Sequence, residues 1–280
     1  MDSLDQQLEA FKKVMIEINN YQSFTNSLVQ KLSAYEQELE NKNIIRKRSE
    51  ITQDEWSNYI NCLFKDYSTG QLNSLALSKF TINDFKRIEL ELKNRQYQFL
   101  LLNAFEAFEQ YLKIAKLSIS GNSGEKTGKS FSPTQFITTL HKTIPTIPRI
   151  IKIRNESDNK FLDEINLLLT FSLIEQLRHQ IAHSSGYADN KSLFIEKCLK
   201  RIGRYNNGKP KSEYKDFLNS FFGNNQYENL ICLTEIRDNQ NPFFYYDRLG
   251  DLVKELASYI FFAHLYIKDI STPSSVSISS

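Results

Sequence analysis

Residues that break regular structure are scarce in this chain. Its 280 residues include only 9 glycines and 6 prolines, which is below the usual share of both types. Long hydrophobic runs are also missing, since the apolar stretch 257–267 is interrupted by His264 and is too short to span a bilayer. Few breakers in a long chain favour helices. The composition therefore predicts an all-α protein with no membrane-spanning segment.

Cysteines are few and unsuited to a disulfide or metal framework. Cys62, Cys198 and Cys232 are odd in number, and no two of them have metal-ligand spacing. We therefore expect reduced structural thiols in a cytoplasmic protein, without a metal or other cofactor. The N-terminus is acidic and polar, unlike a secretory signal. The net charge is only +2, so any binding of nucleic acid must depend on local positive charge.

The spacing of apolar residues predicts four regions along the chain. Residues 1–80 are predicted to form a helical N-terminal extension, and residues 81–270 to form the main helical domain. Within that domain, residues 190–245 are predicted to be mostly helical. The serine-rich tail 271–280 is expected to be disordered.

Individual helices are predicted from the 3.6-residue periodicity and from capping signals. One such signal is the capping box at Thr52–Glu55, and Tyr227–Ile236 is the one stretch with strand character. The predicted helices cover residues 2–48 (one helix or a pair), 53–67, 82–118, 133–143, 161–183, 192–203, 211–222 and 247–267.

The residues that point most firmly to chemistry are RHQIAH, residues 178–183, which end an apolar helix just before Ser184–Gly186. The guanidinium of Arg178 matches phosphate oxygens, and an imidazole such as that of His183 can exchange a proton near neutral pH. Five residues on a regular helix correspond to roughly 140° of rotation. The two side chains therefore converge only if the helix ends near His183 or if two copies share the site. A solvated basic helix end is the alternative interpretation.

This string resembles the R-x4–6-H motif of the HEPN superfamily, whose members are compact α-helical domains. Many of them are metal-independent ribonucleases of toxin–antitoxin and anti-phage systems. His179 occupies the place of the family's polar residue after the arginine, and residues 108–112 (FEQYL) resemble an aromatic–acid–x–aromatic–Leu pattern of an earlier family helix. The resemblance covers residues 82–190. The N-terminal helices and the segment 190–245 depart from it. Relative to the family, the segment 190–245 is therefore expected to be a mostly helical insertion or an added subdomain.

The resemblance implies an endoribonuclease that acts as a homodimer, with the two motif helices lining one composite active site. Arg178 would hold the scissile phosphate, and His183 would transfer protons as the ribose 2′-OH attacks. His179 would orient the phosphate or backbone. Glu109, or alternatively Glu106, would fix Arg178 by a hydrogen bond. The products would end in 2′,3′-cyclic phosphate, and an antitoxin or sensor protein is an expected partner. The alternative is a catalytically inactive RNA-binding or protein-assembly module.

A zinc site is a competing interpretation of the same helix. Glu175, His179 and His183 lie four residues apart on one face, and a third histidine is available at His141 or His264. The pattern lacks the glutamate that zinc proteases place next to the first histidine. We therefore expect no metal, and we expect His141 and His264 to be ordinary packed or surface residues.

Two other basic segments are candidates for contact with RNA. Residues 123–130 (SGEKTGKS) resemble a phosphate-binding loop, but serine occupies the place of the required first glycine. We therefore expect a flexible loop, from which Lys126 and Lys129 could contact an RNA backbone. Lys197, Lys200 and Arg201 belong to a second basic cluster, which either tracks phosphates or forms a solvated helix face.

Overall fold

The computed structural model describes residues 3–41, 62–75, 82–120, 131–151, 164–203, 212–224, 227–237 and 245–271. The fold is all-α, as the composition predicts. The helices are α1 (Ser3–Asn41), α2 (Ile82–Ser120), α3 (Pro133–Thr143), α4 (Glu164–His183), α5 (Lys191–Arg201), α6 (Ser212–Asn219) and α7 (Arg248–Ser271), and residues 146–151 are also helical. Two short antiparallel pairs join β1 (Cys62–Lys65) to β2 (Leu72–Leu75) and β3 (Ile236–Arg237) to β4 (Tyr245–Tyr246).

Helix α3 follows the prediction because its start is encoded locally. Ser132 is the N-cap, with extended backbone and a side-chain oxygen that accepts from the amide of Gln135, and Pro133 occupies the first turn. The predicted bounds 133–143 are confirmed. Among the described residues, no helix is long and apolar enough to cross a membrane.

The first and last helices can be compared with their predicted bounds over only part of their length. Helix α1 is continuous through Asn41, whereas residues 42–61 lie outside the described part, and with them the capping box at Thr52–Glu55. At the other end, α7 continues to Ser271, which we had assigned to the disordered tail. Residues 272–280 lie outside the described residues.

The chain divides into two compact units, one formed by residues 1–22 and 94–280 and the other by residues 23–93. This division differs from the predicted domain boundary near residue 81. Leu4 and Phe11 of the predicted extension are fully buried in the core of the larger unit, because they lie on the apolar face of α1.

Aromatic side chains hold the core of the larger unit together. The ring of Phe108 on α2 lies 5.4 Å from that of Phe171 on α4, and Phe171 meets Tyr259 on α7 edge-on at 5.1 Å. Phe11 on α1 lies 6.4 Å from Tyr111 on α2. Such tilted pairs add to the hydrophobic stabilisation of the buried area. The core therefore ties α1, α2, α4 and α7 to one another.

In the smaller unit, the predicted helix over residues 53–67 is wrong for its last residues. Residues 62–65 form β1, which pairs with β2 so that Cys62 faces Leu75 and Lys65 faces Leu72. The reason is the turn between the strands. An oxygen of Asp66 accepts hydrogen bonds from the amide and the hydroxyl of Ser68, and Gly70 has a φ of +74°. Such a turn reverses the chain and ends any helix before it.

The backbone of Ile231 connects α2 to the loop that follows α4. Its carbonyl accepts hydrogen bonds from the buried amides of Asn94 and Gln98, at 2.7 and 2.8 Å. Its N–H donates to the carbonyl of Gly186 at 2.9 Å. Residues 227–235 have only isolated bridges, and the predicted strand character is confined to β3 at their end. We call this set of bonds the Ile231 junction.

We expect Gly186→Ala to destabilise the larger unit by about 2–3 kcal/mol. Gly186 has a φ of +82°, and an added Cβ would collide with the buried Gln98 side chain, whose shift would break its bond to Ile231. Gly203→Ala is the matched control, because Gly203 has a φ of +68° but open space around it. That variant should lose only about 1 kcal/mol, from backbone strain. Urea denaturation measures both free energies of unfolding, and equal losses would contradict the steric explanation.

Candidate functional site

Helix α4 carries the motif at an exposed end that its buried half anchors. Leu173, Ile174 and Leu177 are fully buried in the core, whereas Arg178, His179 and His183 are exposed. The helix ends at His183, as predicted from Gly186. The motif side chains are therefore accessible on a rigid helix.

The three motif side chains are arranged as two neighbouring groups. The guanidinium carbon of Arg178 lies 5.9 Å from the ring centre of Phe105, within the range of a cation–π contact. The rings of His179 and His183 lie 4.7 Å apart, one helical turn from each other. Because α4 stays helical through His183, Arg178 and His183 are separated by roughly 140° around its axis. The end of the helix does not bring these two together within one chain.

Arg178 and His179 open onto a groove of about 1950 Å³ in the larger unit. Its walls come from α2, α3, α4 and α5 and from the residues just before α3. The groove is lined by Phe105, Glu109, Lys113, Lys116, Leu117, Ile119, Ser120, Phe131, Ser132, Pro133, Gln135, Phe136, Thr139, Leu140, Thr143, Glu175, Gln176, Arg178, His179, Lys197, Lys200 and Arg201. His183 is absent from this lining among the described residues.

Glu109 was expected to fix Arg178, and it does line the same groove. Its carboxylate, however, pairs with the ammonium group of Lys113 at 2.7 Å, one turn further along α2. A lysine four residues after a glutamate on the same helix competes well for the carboxylate because the two side chains are neighbours. The alternative, Glu106, is exposed. Arg178 is positioned by Phe105 in place of the expected carboxylate.

Glu175 has a structural role that sequence spacing does not reveal. Its side chain is buried and forms an ion pair with Arg201 of α5. It also accepts a hydrogen bond from the Thr134 amide at 3.0 Å, at the positive end of the α3 dipole. These partners are 26 and 41 residues away. Glu175 therefore joins α3, α4 and α5 at the floor of the groove.

The zinc interpretation gains nothing from the structure. In the described part of the chain, no three His, Cys, Asp or Glu side chains are grouped to hold a metal ion. His141 and His264 are both buried, as expected for packed histidines. His141 bonds with the hydroxyl of Tyr259, and His264 bonds with that of Tyr111.

Cysteine chemistry is also disfavoured at the two thiols whose surroundings are described. Burial raises the pKa of the Cys198 thiol to about 12, and burial likewise raises the pKa of Cys232. The nucleophile is the thiolate, which neither side chain forms readily at neutral pH. Lys126 and Lys129, the predicted loop contacts with RNA, lie outside the described residues.

Sequence reasoning missed the contribution of α2 to the groove. Lys113 and Lys116 follow the acidic motif of that helix by one and two turns, and both line the groove. Their spacing from Glu109 was a usable signal, since positions i, i+4 and i+7 share one helix face.

Comparisons with known proteins find no match for this chain among family models, curated proteins or solved structures.

Replacing Glu175 with leucine should destabilise the larger unit by about 2–3 kcal/mol, because the buried Thr134 amide loses its acceptor. Glu175→Gln keeps an oxygen acceptor and should cost less. Glu106→Gln is the control, since Glu106 is exposed, and should stay within about 0.5 kcal/mol of the unchanged chain. Chemical denaturation gives the free energies. If Glu175→Leu left the free energy of unfolding unchanged, the ion pair with Arg201 and the hydrogen bond from the Thr134 amide would contribute no net stability.

Proposed function

We propose that this chain is a metal-independent endoribonuclease with an active site built on Arg178, His179 and His183. The observation that carries the proposal is the exposure of these side chains on the rigid end of α4, beside a groove rich in cations. The resemblance of RHQIAH to the HEPN motif adds support, and with it a HEPN-like helical bundle as the fold of the larger unit.

In this mechanism His179 orients the phosphate or the RNA backbone, and the other two motif side chains take part in the reaction. His183 removes the proton of the ribose 2′-OH, whose oxygen attacks the adjacent phosphorus. Arg178 stabilises the negative charge that develops on the phosphate oxygens. The bond to the 5′-oxygen then breaks, that oxygen is protonated, and the RNA is left with a 2′,3′-cyclic phosphate. DNA lacks the nucleophile and is spared.

A homodimer fits the orientation of the motif side chains. On one helix Arg178 and His183 are separated by roughly 140°, so a single chain presents them in different directions. A second copy across a two-fold axis would place its His183 toward the phosphate that Arg178 of the first copy holds. The active site is then composite, and base and acid come from different copies. We propose that the enzyme acts in the cytoplasm as a toxin or anti-phage effector, restrained or triggered by an antitoxin or sensor protein.

An RNA-binding module without catalysis is the second candidate. The groove favours it, because its cations belong to one chain and its described lining does not include His183. Such a module would bind RNA equally well with and without His183, and no variant would alter RNA integrity.

We expect wild-type protein to cleave RNA in the presence of EDTA, and His183→Ala to lower the rate by about 10²–10⁴. Arg178→Ala should lower it by about 10²–10³. Arg149→Ala is the matched control, since it removes another exposed arginine, and should keep the wild-type rate. The measurements are cleavage rates of a labelled RNA and the chemistry of its 3′ ends.

A substrate with one 2′-deoxyribose at the cleaved position should resist cleavage there, because the attacking hydroxyl is gone. Loss of wild-type activity in EDTA would contradict the metal-independent mechanism. If both the Arg178→Ala and the His183→Ala variants still cleaved RNA at the wild-type rate, the motif would not be part of the active site. An inactive wild type that binds RNA as well as both variants do would establish the binding module instead.

A further inference from the structure

The groove beside Arg178 has a strong excess of positive charge. Six cationic side chains line it, and only two carboxylates, those of Glu109 and Glu175, oppose them. Helix α2 supplies Lys113 and Lys116, α4 supplies Arg178, and α5 supplies Lys197, Lys200 and Arg201.

Among the residues that line the groove, the excess is four positive charges, whereas the whole chain has a net charge of +2. The positive charge of this protein is therefore concentrated where the motif helix opens.

Both carboxylates of the groove are already paired with cations of the groove. Glu109 bonds to Lys113, and Glu175 bonds to Arg201. Lys200 pairs with Glu196 of its own helix, and Lys197 is exposed. The pairs made by Glu109 and Glu196 are partly exposed and are worth little, so a phosphate can replace these carboxylates at small cost. The buried Glu175 keeps Arg201 as its partner. The groove can therefore accept several negative charges in succession.

Aromatic rings accompany the cations. Phe131 and Phe136 are half-buried, line the groove and lie 5.9 Å apart. The ammonium group of Lys113 lies 5.9 Å from the ring centre of Phe131. Cations beside accessible rings suit a chain of phosphates that carries planar bases, because backbone charge and base faces are bound together. An acidic peptide would use the cations but not the rings.

We propose that this groove binds single-stranded RNA, with α5 and α2 holding the backbone and Phe131 and Phe136 stacking on bases. The predicted insertion at residues 190–245 then supplies a substrate-binding wall, since it contains α5. An RNA duplex keeps its bases stacked inside and cannot offer them to the two rings. The wall from Phe105 to Ser120 on α2 is roughly 22 Å long, enough for several nucleotides. The inference rests on the proposed action on RNA, but its test requires no cleavage.

The test measures binding of a labelled 20-nucleotide single strand to the full-length His183→Ala protein by fluorescence anisotropy at several salt concentrations. Adding Lys197→Ala and Lys200→Ala should weaken binding on the order of 20-fold at 0.1 M salt and reduce the salt slope by about 1.4. Lys215→Ala with Lys254→Ala is the charge-matched control, because both lysines are exposed and lie outside the groove lining. The control should change affinity by no more than about twofold.

Phe136→Leu should reduce the preference for the single strand over a duplex of the same sequence while leaving the salt slope unchanged. Equal losses in the groove and control pairs would overturn the proposal, as would equal affinity for polyglutamate or for the duplex. One outcome would exclude the groove as an RNA-binding site but leave the proposed ribonuclease intact. In that outcome the wild type cleaves RNA, and replacing Lys197 and Lys200 changes neither RNA binding nor cleavage. The opposite outcome would refute the ribonuclease but support the groove as an RNA-binding site. In that outcome the wild type does not cleave RNA, but replacing Lys197 and Lys200 still weakens RNA binding.

Discussion

The hydrogen bonds at Ile231 are the constraint on which the site depends. The backbone of Ile231 accepts hydrogen bonds from the side-chain amides of Asn94 and Gln98 and donates one to the carbonyl of Gly186. Unpaired, these buried polar groups would each cost about 1–3 kcal/mol, so the arrangement has few alternatives. Arg95 adds a bond to the carbonyl of Ser185. The chain that leaves α4 is thereby held against α2, and the exposed end of the motif helix gains a defined direction.

The candidate site combines two kinds of surroundings, a buried helix segment and exposed polar side chains. The buried half of α4 is rigid, since it packs between Phe108 and Tyr259 through Phe171. In its last turns Arg178, His179 and His183 are exposed, whereas Gln180 and Ile181 remain buried. Side chains on a helix anchored in this way keep their geometry when a charged molecule binds, because the core resists displacement. The groove supplies positive charge, and Glu175 connects the helices at its floor through Arg201 and the Thr134 amide.

Elements specified by neighbouring residues could be predicted from the sequence, whereas contacts between residues far apart in the chain could not. Helix α3 could be predicted to the residue because Ser132 and Pro133 specify its start within one turn. The exposed end of α4 could be predicted because apolar periodicity stops before His183. The hairpin after Cys62 could not, since its turn at Asp66 competes with a helical pattern of similar strength. The position of Glu175 was hidden because its partners lie 26 and 41 residues away.

During synthesis, the motif residues of α4 are made before the backbone at Ile231 that later orients them. Asn94 and Gln98 donate hydrogen bonds to the Ile231 carbonyl, and Asn94 accepts one from the Leu233 N–H, across 133 to 139 residues of the chain. Contacts of such long range form late, because the intervening chain must first be closed into a loop. A nascent chain that already carries residues 178–183 therefore lacks the junction that orients them until about fifty more residues have been added. The direction of the exposed end of α4 is therefore fixed only after the helix itself has been made.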